Sequence, residues 1–328
     1  MTAYRKLIPA ALAAAIVSAV FLAAAPAAEE SLKKSPANTP GHITLFQAAV
    51  LGVVEGLTEY LPVSSTGHLI LASHAMDLSE YAGGGVRPFS SKITKAPALD
   101  AFEVVIQLGA ILAVLSLYRK RVGQMARGLV GRDAGGRQLF VALMAAFVPA
   151  AAVAFLFHKP IQERLFNPVS VAIALVAGGV LMMAVEHFFW RRRKGMLRVT
   201  DVSTIRLWQA VAIGAAQCLA LWPGTSRSMV TIIAALVVGL DMLAAAEFSF
   251  LLALPTLGAA TAYEGMKNWG VLVEGVGIDG MLVGLVVSGV VAALAIAGLV
   301  RWLTRHGLVP FGIYRIALGG VVIWYFMR

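Results

Sequence analysis

The sequence predicts an all-α polytopic membrane protein built as an inverted-topology repeat, in which two re-entrant helical hairpins meet near the membrane midplane. Three observations lead there. Of the 328 residues, 59% are hydrophobic and only 13% are charged, where a soluble domain carries about 25% charge. Apolar runs near the length of a membrane span recur, without the period-two alternation of a transmembrane barrel. Two stretches of the chain also resemble each other. One cysteine and six histidines exclude a disulfide scaffold and a cysteine-based zinc site. The net charge of +10 comes from short basic clusters between apolar runs, a placement that reads as membrane orientation. Membrane lipids are therefore the expected surroundings, and no nucleic-acid partner is expected.

In chain order, Arg5 and Lys6 precede an Ala-rich apolar stretch that ends in small residues before Glu29 and Glu30. Residues 1–28 read as a secretory signal peptide, with an uncleaved N-terminal transmembrane helix as the alternative. Both place residue 40 outside the cytoplasm. Residues 40–328 form a single integral membrane domain, with repeat halves at about 43–157 and 207–300. Apolar segments fall at about 43–61, 68–76, 100–118, 139–157, 169–190, 207–222, 229–240, 244–262, 281–300 and 310–327.

Four of these are too short or too broken to span alone. At about 1.5 Å per residue, 229–240 covers about 18 Å and 68–76 about 14 Å, against a hydrocarbon core of about 30 Å. Segments 43–76 and 207–240 are therefore expected to be re-entrant hairpins. Their polar tips, Pro62 to His68 and Pro223 to Ser228, are tolerated only where they line a protein-enclosed cavity. Loops 119–137, 191–206 and 301–309 hold 14 Lys/Arg against 9 on the other side, so the first hairpin enters from outside and the second from the cytoplasm. Gln47 through Thr66 aligns with Gln209 through Arg227, with one residue of slip before the prolines. Glu55 then matches Gln217, and Tyr60 matches Trp222. Opposed insertion of related hairpins places broken segments, and the site they build, near the midplane. Transporters share that plan, so the fold alone does not name a function.

The chemistry resides in the tips. Glu55 and Glu59 stand four apart, so both carboxylates project from one helix face. In so apolar a segment the pair needs a cation or a basic partner, the alternative being carboxylates that only bond neighbouring helices. Ser64, Ser65, Thr66, Gly67 and His68 bring three hydroxyls and an imidazole to a helix start whose N–H groups suit a phosphate. A plain N-cap would explain one hydroxyl of the three. Thr225, Ser226 and Arg227 form a second such turn, and Arg binds phosphate oxygens bidentately. Arg227 could also pair with Glu55 or Glu59 as a buried ion pair. Glu103 and Gln107 could reach the same cavity. Arg315 and Glu247 are left as supporting or snorkelling residues.

The string from Glu55 to His68 and that from Pro223 to Ser228 look like the two signature motifs of the bacterial undecaprenyl-pyrophosphate phosphatase family, the bacitracin-resistance type. Phe102 to Gly109 and Glu247 to Ala253 are similar to further family segments, and the likeness covers about 43–328. The chain departs from the family in its signal-like N-terminus and in a long loop around Gly83-Gly84-Gly85. The resemblance implies hydrolysis of undecaprenyl diphosphate to undecaprenyl phosphate and inorganic phosphate, and with it bacitracin resistance. It also implies a divalent cation, Mg or Ca, and a site open to the periplasmic face of the inner membrane. Carried over by motif, the functional positions are Glu55, Glu59, Ser64, Ser65, Thr66, His68, Ser226 and Arg227.

The expected roles follow from phosphoryl chemistry. Arg227 with Ser64, Thr66, Thr225 and Ser226 holds phosphate, while Glu55 and Glu59 bind the metal or act as base. Ser65 attacks phosphorus, and His68 shuttles protons or is itself the nucleophile. A metal-directed water is the competing nucleophile. The rival functions are a transporter or lipid flippase, which would not need the hydroxyls beside His68, and a non-catalytic scaffold. A homodimer is compatible with this plan.

Overall fold

The computed structural model describes residues 43–76, 78, 97–190 and 198–326. The expectations for residues 1–28 and for the loop at Gly83 to Gly85 lie outside the described residues. Helices form at all ten apolar segments. They are α1 (Leu45–Thr58), α2 (Ser65–Ala75), α3 (Pro97–Leu117), α5 (Ala134–Leu165), α6 (Pro168–Val185), α7 (Leu207–Gln217), α8 (Arg227–Val237), α9 (Met242–Lys267), α11 (Gly277–His306) and α12 (Val309–Phe326). Two short helices lie outside those segments: α4 (Arg119–Leu129) and α10 (Trp269–Gly275). Neither could be found by counting apolar runs, because α4 (RKRVGQMARGL) is basic and amphipathic and α10 is a seven-residue turn of helix.

Among the described residues five stretches are long and apolar enough to cross a membrane: Pro97–Leu117, Ala134–Phe157, Pro168–Phe188, Met242–Lys267 and Gly277–His306. The chain is thus a multi-pass membrane protein by length and composition. Helices α1, α2, α7 and α8 have 14, 11, 11 and 11 residues, and eleven residues rise only about 16 Å. They associate as two pairs, α1 on α2 and α7 on α8.

The two pairs share local chemistry. Thr44 caps α1, accepting from Gln47 N at 3.2 Å, while the Gln47 Oε1 accepts from Thr44 N at 2.9 Å. At the start of α7 the Gln209 Oε1 likewise accepts from Arg206 N at 2.9 Å. Each glutamine then donates through Nε2 to a carbonyl 29 residues on, Gln47 to Met76 O at 3.4 Å and Gln209 to Val238 O at 2.8 Å. Those bonds tie the far end of each pair to its beginning. Ser64 and Ser226, equally far along from the two glutamines, carry positive φ angles of 74° and 72°. By this geometry Ser64 matches Ser226 and Pro62 matches Gly224. The one-residue slip that aligned Pro62 with Pro223 is therefore not seen.

Packing between the halves is crosswise. Helix α1 lies on α11 and α7 on α5, α3 lies on α9, and α6 on α12. Small residues permit the closest approach: a β-carbon on Gly52 would fall 2.6 Å from Gly284 O, so backbone meets backbone without an intervening side chain. Glu55 and Glu59 ride on this same stretch of chain.

The N-terminus of α12 is held by a side chain from another helix. Glu186, 6% exposed, accepts through Oε2 from Leu308 N at 2.5 Å and Val309 N at 2.9 Å. Both amides are among those a helix start leaves unsatisfied, and a carboxylate also complements the helix dipole there. Replacing Glu186 by Ala strands these donors at about 1–3 kcal/mol each. The expected result is a thermal midpoint in detergent several degrees below wild type, with Glu186→Gln in between. An unchanged midpoint for Glu186→Ala would show that the cap is dispensable.

Candidate active site

The turn after α1 and the turn before α8 meet through an ion pair. Arg227 donates from Nη2 to Glu59 Oε1 at 2.7 Å, with the two side chains 9% and 7% exposed. The second oxygen of Glu59, Oε2, accepts from Ser65 Oγ at 2.7 Å. One carboxylate therefore holds the arginine of one turn and the hydroxyl of the other. Arg227 is fixed further by donating from Nη1 to Ser249 O at 3.0 Å and by resting over the Tyr60 ring at 5.5 Å. Tyr60 donates to Ala110 O at 3.0 Å and meets the Phe250 ring edge-on at 5.4 Å. Ser228 Oγ reaches across to Leu61 O at 2.9 Å, a second bond between the turns.

Local backbone explains why serine recurs at the two turns. At positive φ an L-residue is strained, yet Ser64 and Ser226 offset this by capping the next helix. Ser64 Oγ accepts from Gly67 N at 3.4 Å, and Ser226 Oγ accepts from Met229 N at 3.3 Å. Both hydroxyls expected to bind phosphate thus serve helix starts, and Ser64 is buried at 2% exposure. Ser65, Thr66, Thr225 and Ser226 are half-buried. Of the hydroxyls at the first turn, it is Ser65 that bonds to Glu59.

Glu55 is fully buried, and among the described residues no donor reaches either of its carboxylate oxygens. Glu59, Glu103 and Arg227 all lie near enough to act on its charge. A carboxylate with both oxygens unused is expensive inside an apolar helix bundle, and a cation is the partner that such oxygens suit. No group of three or more His, Cys, Asp and Glu residues able to hold a metal is found among the described residues. Glu55, with both oxygens unused, and the neighbouring Glu59 are the residues that could hold a divalent cation, Mg²⁺ or Ca²⁺, with water and substrate phosphate oxygens as its other ligands.

His68 is placed beside the turn but not against Ser65. Its Nδ1 lies 2.7 Å from Ser64 O, which can only accept, so Nδ1 carries the proton. In the neutral ring Nε2 then accepts from the Tyr314 hydroxyl at 2.6 Å, with the two rings stacked at 5.6 Å. Both nitrogens are engaged, so His68 acts as base or nucleophile only if Tyr314 yields. Glu103 is buried at 8% exposure near Glu55, as the sequence suggested. Glu247 belongs elsewhere: it pairs at 2.7 Å with Arg121, which also meets Asp201 at 3.1 Å. Backbone bonds at Ser203 and the charge of Arg121 hold the Asp201 carboxyl below its usual range.

Sequence reasoning missed Tyr314 and the carbonyl of Ser249, and it left Arg315 undecided. The available signal was an arginine midway along an apolar run beside a tyrosine, which marks a polar partner inside the helix bundle.

The model of the family described as "Bacitracin resistance protein BacA" matches residues 48–321 of this chain. Among curated proteins, "Undecaprenyl-diphosphatase" of Sorangium cellulosum is 50% identical over 281 residues, 85% of each chain. "Undecaprenyl-diphosphatase 1" of Chromobacterium violaceum is 42% identical over 280 residues, 85% of this chain and 95% of the relative. "Undecaprenyl-diphosphatase 2" of Rhodospirillum rubrum is 43% identical over 281 residues, 86% of this chain and 94% of the relative. With a family match across most of its length and relatives this similar, the chain belongs to the bacitracin resistance protein BacA family.

Proposed function

We propose that this chain hydrolyses undecaprenyl diphosphate to undecaprenyl phosphate and inorganic phosphate, recycling the lipid carrier for peptidoglycan and other envelope polymers and conferring bacitracin resistance. The relatives' names carry the substrate. The observation that carries the chemistry is the Arg227–Glu59–Ser65 chain of contacts at 2.7 Å each. It sets an acid–base group between a nucleophile and a phosphate-binding cation.

In this reading the terminal phosphate of the substrate enters between the two turns. Ser65 Oγ attacks the terminal phosphorus and gives its proton to Glu59, with which it is already bonded. The bond from that phosphorus to the bridging oxygen breaks, and undecaprenyl phosphate leaves with the electron pair. Protonation of Glu59 removes the charge that held Arg227 and frees the guanidinium for the phosphate oxygens. Glu59 passes that proton to the departing undecaprenyl phosphate. Ionised again, it takes a proton from water, whose oxygen attacks the phosphorus; phosphate is released, and the proton returns from Glu59 to Ser65 Oγ. A divalent cation held by Glu55 and Glu59 would supply neutralisation of the substrate's charge. The hydroxyls of Thr66 and Thr225 and the starts of α2 and α8 complete the phosphate surroundings. With both nitrogens occupied, His68 holds the first turn, and a proton-shuttle role passes through Tyr314.

The architecture is read as an inverted repeat of two re-entrant hairpins. This is supported by the matched glutamine bonds, the paired positive-φ serines, the crosswise packing and the shortness of α1, α2, α7 and α8. The protein would sit in the inner membrane with its site open to the periplasm, as the basic residues Arg119, Lys120, Arg121, Arg127, Arg132 and Arg137 at one end favour. The exposed stripe Leu282, Val286, Val290 and Leu294 on α11 suits lipid chains, or a second copy in a homodimer.

Phosphate release from a long-chain polyprenyl diphosphate by detergent-purified protein tests the activity. Glu59→Gln, Ser65→Ala and Arg227→Ala are each expected to lower kcat by about 100-fold or more, and a chelator is expected to abolish release until Mg²⁺ or Ca²⁺ is restored. Release that survives in Arg227→Ala would remove this site from the reaction, and none from folded wild type would favour a carrier. Acid quench during turnover of substrate labelled in the terminal phosphate is expected to trap label on Ser65. Absence of label together with a near-normal Ser65→Ala rate would assign the attack to water.

A further inference from the structure

Arg315 is the largest fully buried side chain among the described residues. It stands midway along α12, and its described partners are all main-chain carbonyls. Nη2 donates to Gly224 O at 2.8 Å and to Ala174 O at 3.0 Å, Nη1 to Pro62 O at 3.4 Å, and Nε to Leu175 O at 3.4 Å. Two of these carbonyls belong to the two turns of the active site, and they are the pair that the repeat places in equivalent positions. Pro62 lies three residues before Ser65, and Gly224 three before Arg227. The neighbouring Tyr314 holds His68 on the first turn.

We propose that Arg315 is a positioning residue for the phosphatase reaction: its guanidinium spans Pro62 O and Gly224 O and so sets the distance between the attacking Ser65 and the phosphate-binding Arg227. The inference rests on the phosphatase reading of the site. A buried arginine bonded to carbonyls is costly, since no carboxylate among the described residues pairs with it, and a fold needing only bulk at this place would use an apolar side chain. The neighbouring helices are also shaped around the guanidinium. Gly178 on α6 faces it, and a β-carbon there would fall 2.9 Å from Arg315 Cζ and 2.9 Å from Met229 Sδ. Only a rigid fork of donors reaches both turns at once. A lysine would keep the charge but concentrate its donors on one atom, so it would serve one turn and release the other.

The ion pair between Glu59 and Arg227 does not make this clamp redundant. Glu59 gives up its charge when it takes the Ser65 proton, so the direct link weakens during the chemical step. The Arg315 bonds to backbone carbonyls do not depend on that proton, so they keep the turns in register while the direct link is loosened. A displacement of about 1 Å between nucleophile and phosphate costs about 100-fold in rate, so loss of the clamp appears in kcat rather than in substrate capture.

The test is kcat and KM for a polyprenyl diphosphate, with the thermal midpoint, for purified wild type, Arg315→Lys and Gly178→Ala. Gly178→Ala leaves the arginine in place but pushes its guanidinium aside. Both variants are expected to lose about tenfold or more in kcat, with KM within about threefold of wild type and a folded, cooperative melt. Folded Arg315→Lys and Gly178→Ala proteins with kcat within about twofold of wild type would overturn the assignment. Failure of both to fold would overturn it too, in favour of a residue required by the whole helix bundle. Inactivity of wild type in the same assay is a separate outcome, and it would count against the phosphatase reading itself.

Discussion

The contact on which the rest of the site depends is the buried ion pair between Glu59 and Arg227. Each partner sits on a turn that breaks an apolar helix pair, and each charge is costly there without the other. Removing one member of a buried pair leaves the other uncompensated, at about 3–5 kcal/mol. The two turns are therefore mutually dependent, and the first half of the chain cannot form a satisfied site without the second. The same pair is chemically loaded, because its carboxylate also accepts the Ser65 hydroxyl. The interaction that assembles the site is thus the one that proton transfer would loosen.

Around that pair the fold spends its small residues and polar side chains on position. Gly52 brings α1 against α11, so Glu55 and Glu59 stand on a helix with little freedom to shift. Ser64 and Ser226 accept a strained backbone and cap α2 and α8, the helices that follow the two turns. Arg315 and Tyr314 approach from α12, whose own first turn is held by Glu186. Among the described residues both oxygens of Glu55, and the Nε of Arg227, are buried at this centre without a hydrogen-bond partner. In the proposed reading a cation would fill the deficit at Glu55 and would prepare the site for an anionic head group.

Much of this is legible in the chain. The apolar runs locate ten helices because hydrophobic length is the dominant constraint in a bilayer. Helical spacing pairs Glu55 with Glu59, and Arg227, read first as a phosphate binder, has an ion pair with one of them as its alternative reading. Other features are hidden for physical reasons. Helices α4 and α10 are short and are recognised only by what they rest on. The likeness of the two helix pairs is visible in Gln47 and Gln209, but the register of the proposed repeat through the tips depends on backbone φ angles at Ser64 and Ser226, and residue letters favour matching Pro62 with Pro223. The partners of Arg315 are carbonyls, which every residue has, so no pattern of side chains announces them. His68 is expected against Ser65. Its actual partner, Tyr314, lies 246 residues away, a pairing that only the placement of α12 decides.

The most direct test of the central claim is a double-mutant cycle on kcat/KM for polyprenyl diphosphate hydrolysis, with Glu59→Gln, Arg227→Gln and the double variant measured beside wild type. If the two residues act as one unit across the turns, each single change removes most of the activity and the double variant is little worse than either, a coupling of about 2 kcal/mol or more. Losses that simply add would mean that Glu59 and Arg227 act independently, and the account built on their contact would not stand.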